Sequence, residues 1–315
     1  LSDSGYFSRV EVDTRRADAE NFHVPVVIST EPTRPRRYAF GLGYGTDTGP
    51  RLSLAREFRR INRRGHSILA DIRLSEILQS VGAQYKIPIG NLVSDRLIFS
   101  SRADFETIAD DGSSDRYTLG ISRNEEWGQL QRRLYMNYQH EDFSLGEDDR
   151  VVDFFIPGFT LSQLRANDIL FPRRGYSWNV DLRSAPGLIS DTSFARIELA
   201  GQRIFPLGDR GRLLLRSRLG GLSVEVFSRL PTTERFFAGG DQSVRGYDYQ
   251  KLAPEDDSGE VVGGQYLAVG SIELDYLLIG DFGAAIFVDS GNAADEFLPS
   301  LKTGAGIGFR WRSPV

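Results

Sequence analysis

The chain has no cysteine, one methionine and three histidines in 315 residues. Zero cysteine excludes a disulfide scaffold, a thiolate metal site and thiol catalysis together. The histidines His23, His66 and His140 are scattered, which leaves little material for a zinc site or a serine triad. Long apolar runs are missing as well. The longest is Ala284–Val288, five residues, against the roughly 20 that a membrane-spanning helix needs. No charged stretch followed by an apolar one opens the chain, so any signal peptide is expected to be already absent from it. The formal net charge is −5, which argues against a nucleic-acid partner. Disorder is excluded by the 20 Phe, 12 Tyr and 3 Trp residues.

What is abundant is glycine, 33 residues, with 13 prolines, a balance that suits β-structure with many turns. Alternation recurs along the chain. In the last stretch Thr303, Ala305, Ile307, Phe309 and Trp311 fall on one face, and Gly304, Gly306, Gly308, Arg310 and Arg312 on the other. Ile272, Leu274, Tyr276 and Leu278 oppose Ser271, Glu273 and Asp275, and Leu213, Leu215 and Leu219 oppose Arg212, Arg216 and Arg218. Leu134, Met136 and Tyr138 oppose Arg133, Asn137 and Gln139; Tyr38, Phe40, Leu42 and Tyr44 alternate with Ala39, Gly41, Gly43 and Gly45. A period of two is the period of a strand. Strands of about 9–11 residues are expected, the length that crosses a bilayer when tilted.

Two architectures give such alternation. A soluble sandwich buries its apolar face, whereas a membrane barrel turns it to lipid and keeps polar groups in the lumen. Parity alone does not separate them. The strand length, the glycine- and arginine-rich polar face and the aromatics near strand ends favour the barrel. The turns add a further sign. Counting up and down from residue 36 gives fourteen strands, and the charge of the turns alternates. Asp110–Asp115, Glu147–Asp149, Glu255–Glu260 and Asp295–Glu296 are acidic; Arg59–Arg64, Pro88–Asn91, Phe171–Gly175 and Pro206–Gly211 are basic or proline-bearing. Alternate turns of a meander emerge on opposite sides, so this split predicts an up-and-down topology. Glu125 and Glu126 break the rule on the basic side.

Residues 1–34 read differently. A turn and strand over Gly5–Val12 and a second strand over Val24–Ser29 precede the stiff junction Arg34-Pro35-Arg36-Arg37. Two strands cannot bury a core of their own. The segment is therefore expected to be part of a small domain, with residues 35–315 forming the barrel.

One stretch is more specific than alternation. Phe236-Phe237-Ala238-Gly239-Gly240-Asp241-Gln242-Ser243-Val244-Arg245-Gly246-Tyr247 resembles the sixth-loop signature of the BamA/TamA superfamily of outer-membrane assembly proteins, centred on Val-Arg-Gly-Tyr. Ser271-Ile272-Glu273 and Phe287-Val288-Asp289-Ser290-Gly291 are similar to that family's motifs on later strands. Ser4-Gly5-Tyr6-Phe7-Ser8-Arg9-Val10 resembles the closing half of a POTRA domain, the periplasmic module that precedes such barrels. Tyr38-Ala39-Phe40-Gly41-Leu42-Gly43-Tyr44 is most similar to the TamA branch.

The resemblance implies an all-β, transmembrane, antiparallel up-and-down barrel that helps fold and insert other β-barrels, autotransporters among them, through a lateral gate. It implies outer-membrane lipids, unfolded barrel substrates and an inner-membrane-anchored TamB-like protein as partners, and no cofactor, metal or covalent chemistry. The family's barrel has sixteen strands. With fourteen counted here and no terminal aromatic at Val315, the last two are expected to be missing. A two-partner secretion transporter, which exports an unfolded partner, and a passive porin are the competing readings.

Phe227–Gly264 is far longer than a hairpin needs, and long loops are usually functional or disordered. Its polar, glycine-rich middle suits a segment folded into a polar lumen. There Arg245 needs carboxylates, and the resemblance implies Glu273 and Asp289; parity allows both to face inward. Gly246 would turn the backbone and Tyr247 pack on the wall, beside Val244. On the first barrel strand Phe40, Gly41, Gly43 and Gly45 mark the implied gate, since glycine weakens pairing. The glycine triplets there and at Gly304, Gly306 and Gly308 precede no helix and are not nucleotide loops. Arg59, Arg60, Arg63 and Arg64 fit a rim facing anionic headgroups.

Overall fold

Each strand from Arg36 onward pairs with its neighbours in the chain and with no other. The computed structural model describes residues 6–19, 22–46, 48–90, 94–109, 112–297 and 299–312. A two-stranded antiparallel sheet, β1 (Phe7–Thr14) and β2 (Val26–Pro32), precedes an antiparallel sheet of fourteen strands. Those are β3 (Arg36–Gly45), β4 (Gly49–Phe58), β5 (Ser67–Leu74), β6 (Leu78–Pro88), β7 (Arg96–Ile108), β8 (Gly112–Trp127) and β9 (Leu130–Leu145). They continue with β10 (Asp148–Ala166), β11 (Gly175–Ala185), β12 (Phe194–Leu207), β13 (Gly211–Val224), β14 (Tyr266–Ile279), β15 (Phe282–Ala294) and β16 (Lys302–Trp311).

The sheet is inside-out relative to a soluble sandwich. On β3 the outward row Tyr38, Phe40, Leu42 and Tyr44 is 66–76% exposed, and Ile307 on β16 is 87% exposed. Asp71, Asp104, Glu273 and Asp289 are buried. Apolar rows therefore face the surroundings while charges face one another, the arrangement of a membrane barrel.

Chain geometry requires the sheet to curl. Asp241 accepts a hydrogen bond from Thr46, at the end of β3, and Arg245 donates to Asp289 on β15. Those attachment points lie twelve strands apart, about 58 Å on a flat sheet. Four residues of chain span at most about 14 Å, so only a wrapped sheet brings both within reach.

Connections after β3, β5, β7, β9, β11, β13 and β15 open at one end, those after β4, β6, β8, β10, β12 and β14 at the other. The acidic turns Glu147–Asp149, Glu255–Glu260 and Asp295–Glu296 all lie at the first end; Arg59–Arg64, Phe171–Gly175 and Pro206–Gly211 lie at the second. Asn91, Asp110 and Asp111 lie outside the described residues. Glu125, the exception at the basic end, is neutralised locally by Arg123 and Arg132. The β1–β2 sheet sits at the basic end, where the Tyr6 hydroxyl donates to the carbonyl of Gly65 at 3.1 Å and Thr33 N–H donates to the carbonyl of Tyr6 at 2.9 Å. Ser4 and Gly5 lie outside the described residues.

Two expectations need correction. Strands are not uniformly 9–11 residues: β5 has 8, whereas β8, β9 and β10 have 16, 16 and 19. The extra length has a packing cause, because the far ends of β9 and β10 bury Phe143, Leu145, Val152, Phe154 and Ile156 against the long loop. For the same reason the interior is not polar throughout. At the acidic end an apolar core joins those wall residues to Leu230, Phe236, Val244 and Leu252 of the loop.

Candidate functional site: the loop inside the sheet

The chain between β13 and β14, residues 225–265, enters the interior and is fixed at two places. The first fixture is Arg245. Its Nε and Nη2 donate to the two oxygens of Asp289 at 2.6 and 2.9 Å, and its backbone N–H reaches the same carboxylate at 3.1 Å. Nη1 donates to Glu273, and Nη2 lies 3.4 Å from Ser271 Oγ. The guanidinium also stacks on Phe287, 3.5 Å from the ring centroid. A planar fork suits this two-oxygen geometry, which a single ammonium would not reproduce.

Backbone detail makes the approach possible. Gly246 has φ of +92°, a conformation that residues with a Cβ rarely adopt. Gly304 on β16 faces the carbonyl of Arg245 so closely that an added Cβ would lie 2.0 Å from that oxygen. Val244 is fully buried. The Tyr247 hydroxyl lies 3.5 Å from the carbonyl of Thr303. From Glu273 the charges continue in alternating sign: Arg310 bridges Glu273 and Asp275, and Arg212 binds Asp275 at 2.7 Å. Arg212 then donates to the carbonyl of Pro172, in the turn between β10 and β11. Each carboxylate here meets at least one guanidinium, which offsets the cost of removing both charges from water.

The second fixture lies on the opposite wall. Glu141, on β9 and fully buried, accepts from Thr232 N–H at 2.9 Å and Thr232 Oγ1 at 2.5 Å, and from Thr233 Oγ1 at 3.2 Å. Arg235 binds Asp148 of β10 at 3.1 Å and stacks on Phe143 and Phe227. Glu234 lies 3.1 Å from Arg183 of β11 and 3.9 Å from Arg196 of β12. Burial pushes the Glu234 carboxyl up to about 7, with the Arg183 guanidinium opposing that rise and Glu141 adding to it.

Sequence reasoning singled out Arg245, Glu273 and Asp289, and the structure brings the three together. It did not find Thr232, Glu234, Arg235 and Glu141. Their one local sign is a carboxylate at an inward position, Glu141, between Gln139 and Phe143 on a row that turns apolar. The Phe40, Gly41, Gly43 and Gly45 set lies on β3, at one edge of the sheet. Phe40 points outward, and Gly41 sits opposite Ser53. β3 pairs only with β4 and β16 only with β15, so among the described residues both outer edges of the sheet are unpaired. Thr46, next to β3, donates to Asp241 Oδ1 and Oδ2 at 3.2 and 3.0 Å and so ties the first hairpin to the loop.

Comparison with known proteins matches residues 62–315 to the Omp85 superfamily domain. The outer membrane protein assembly factor BamA of Nitratidesulfovibrio vulgaris (strain Hildenborough) is 34% identical over 108 residues, 32% of this chain; the matched stretch spans 14% of that relative. The crystal structure of BamA from Haemophilus ducreyi lacking POTRA domains 1–3 superposes with a TM-score of 0.81 at 16% identity, covering 99% of this chain and 70% of that one. CdiB from Acinetobacter baumannii gives 0.62 at 16% identity, covering 100% and 61%. At such identities these likenesses are of fold.

Proposed function

This chain belongs to the Omp85 superfamily, and on that premise we propose that it is the barrel of an outer-membrane assembly factor of the TamA type. In this reading it lowers the barrier for other β-barrels, autotransporters among them, to fold into the membrane, and performs no covalent chemistry. The observation that carries the reading is the loop between β13 and β14, folded into the interior and clamped at both walls. Opening of the barrel seam at β3 would present unpaired N–H and C=O groups, which template an incoming strand. Gly41, Gly43 and Gly45 contribute few side-chain contacts, so the edge opens at low cost. Arg245, with Glu273 and Asp289, holds the loop off the incoming strand's path. Residues 1–34 are the end of a POTRA domain in the periplasm, and a TamB-like protein is the inner-membrane partner.

The likeness to CdiB supports a second reading, a two-partner secretion pore that passes an unfolded chain through the lumen. Reconstitution separates the two. The intact protein in liposomes should speed insertion of an autotransporter barrel over protein-free liposomes; equal rates overturn the proposal. Export of one dedicated partner without any gain in insertion favours the pore.

A further inference from the structure

Beneath the tip of the loop lie two adjoining cavities. One, of about 380 Å³, lies between β10–β13 and loop residues Gln242 and Ser243. Its polar lining includes Gln131, Ser162, Asn179 and Gln202, and no carboxylate among the described residues. The other, of about 850 Å³, continues past Arg245 to Thr46 and Gly308, beside the two sheet edges. Arg216 lines both.

Arg216 is an exception among its neighbours. On the same inward row of β13, Arg212 binds Asp275 and Arg218 binds Glu198, each at 2.7 Å. Arg245 and Arg310 share Glu273. Arg216 donates to Ser271 Oγ at 3.2 Å, and among the described residues no carboxylate lies within 4 Å of it. A guanidinium carries five N–H donors in a fixed fork and cannot shed its charge.

We propose that Arg216 is an anion-binding residue and that the cavity beside it takes an extended polypeptide segment whose carboxylate it pairs. The inference rests on the reading that this chain handles unfolded polypeptide. Side-chain amides both donate and accept, so the glutamine and asparagine lining matches a backbone that offers one N–H and one C=O per residue. Carboxylate and phosphate share the fork geometry; the amide lining favours the former. The larger cavity runs from Thr46 to Arg216, and Asp241 and Glu273 also line it.

The test uses the whole protein in nanodiscs and a rhodamine-labelled peptide of Ser, Thr and Tyr with one central Asp, against the same peptide with Asn. The Asp peptide should bind wild type about tenfold tighter, the lower end of a charge-assisted hydrogen bond. Arg216→Gln should abolish that preference, and Arg216→Lys should keep part of it. Equal binding of the two peptides to wild type, or a preference that survives Arg216→Gln, overturns the proposal. Inorganic phosphate binding as tightly as the Asp peptide makes this a small-anion site and overturns the peptide assignment. The titration needs no insertion activity, so a protein that discriminates between the peptides yet fails to insert substrates refutes the proposed function and supports this site.

Discussion

Replacing Arg245 by alanine should release the inner end of the loop while leaving the sheet folded. The variant loses both contacts to Asp289, the contact to Glu273 and the stack on Phe287. Glu273 keeps Arg310. Asp289, fully buried, keeps the backbone N–H of residue 245 and the Ser271 hydroxyl but is left without a counter-charge. Breaking a buried pair by removing one partner costs about 3–5 kcal/mol, roughly two to four orders of magnitude in the local opening equilibrium. Hydrogen exchange reads this directly: protection of residues 240–250 should fall by that factor, and protection of β9 and β10 should not change. The double variant Arg245→Ala with Asp289→Asn should recover part of the loss, because no buried charge is then stranded. Unaltered protection in Arg245→Ala, or a double variant worse than the sum of its parts, would refute the reasoning.

Gly304→Ala forces a methyl into the carbonyl of Arg245 and should destabilise the latch by about 1–3 kcal/mol; Gly308→Ala, whose nearest contact would be 3.6 Å, is the control and should be near neutral in the same exchange measurement. Because burial raises the Glu234 carboxyl from 4.5 to about 7, the folded state binds the proton more tightly than the unfolded one. Its contribution is therefore full below pH 4.5, weakens as pH climbs through that window and levels off above 7. Melting followed from pH 5 to pH 8 should show this fall, and Glu234→Gln should flatten it. Thr46→Val removes the hydrogen bonds to Asp241 at a cost of about 1 kcal/mol; exchange in β3 and β4 should rise several-fold, with β14 and β15 unchanged.

Much of the architecture was legible because a strand writes its two faces into alternate residues. The row Tyr38, Phe40, Leu42 and Tyr44 says which residues share a face, and the turn charges say which ends share a side. Neither says which face meets lipid; the buried carboxylates Glu273 and Asp289 decide that. The Arg245 cluster was reachable because its members lie in short, distinctive motifs. The Glu141 and Glu234 fixture was not. Its partners lie far apart in sequence, 91 residues between Glu141 and Thr232, and no local period encodes such a meeting. The length of β9 and β10 was missed for a related reason: their far ends are held by the loop, so their extent depends on a segment that follows them in the chain. Arg216 looked like its neighbours Arg212 and Arg218 in the alternating pattern. Only the positions of the carboxylates distinguish it.

The wiring of the sheet also bears on how the chain reaches its final state. Since each strand hydrogen-bonds only to those before and after it, the wall can zip up hairpin by hairpin, with short closures throughout. The interior clamps join residues far more distant, 144 positions for Gln250 with Glu106 and 195 for Thr46 with Asp241. Ordering such large loops early would cost entropy before any compensating contact formed. The interior clamps are therefore expected to form after the hairpins they join.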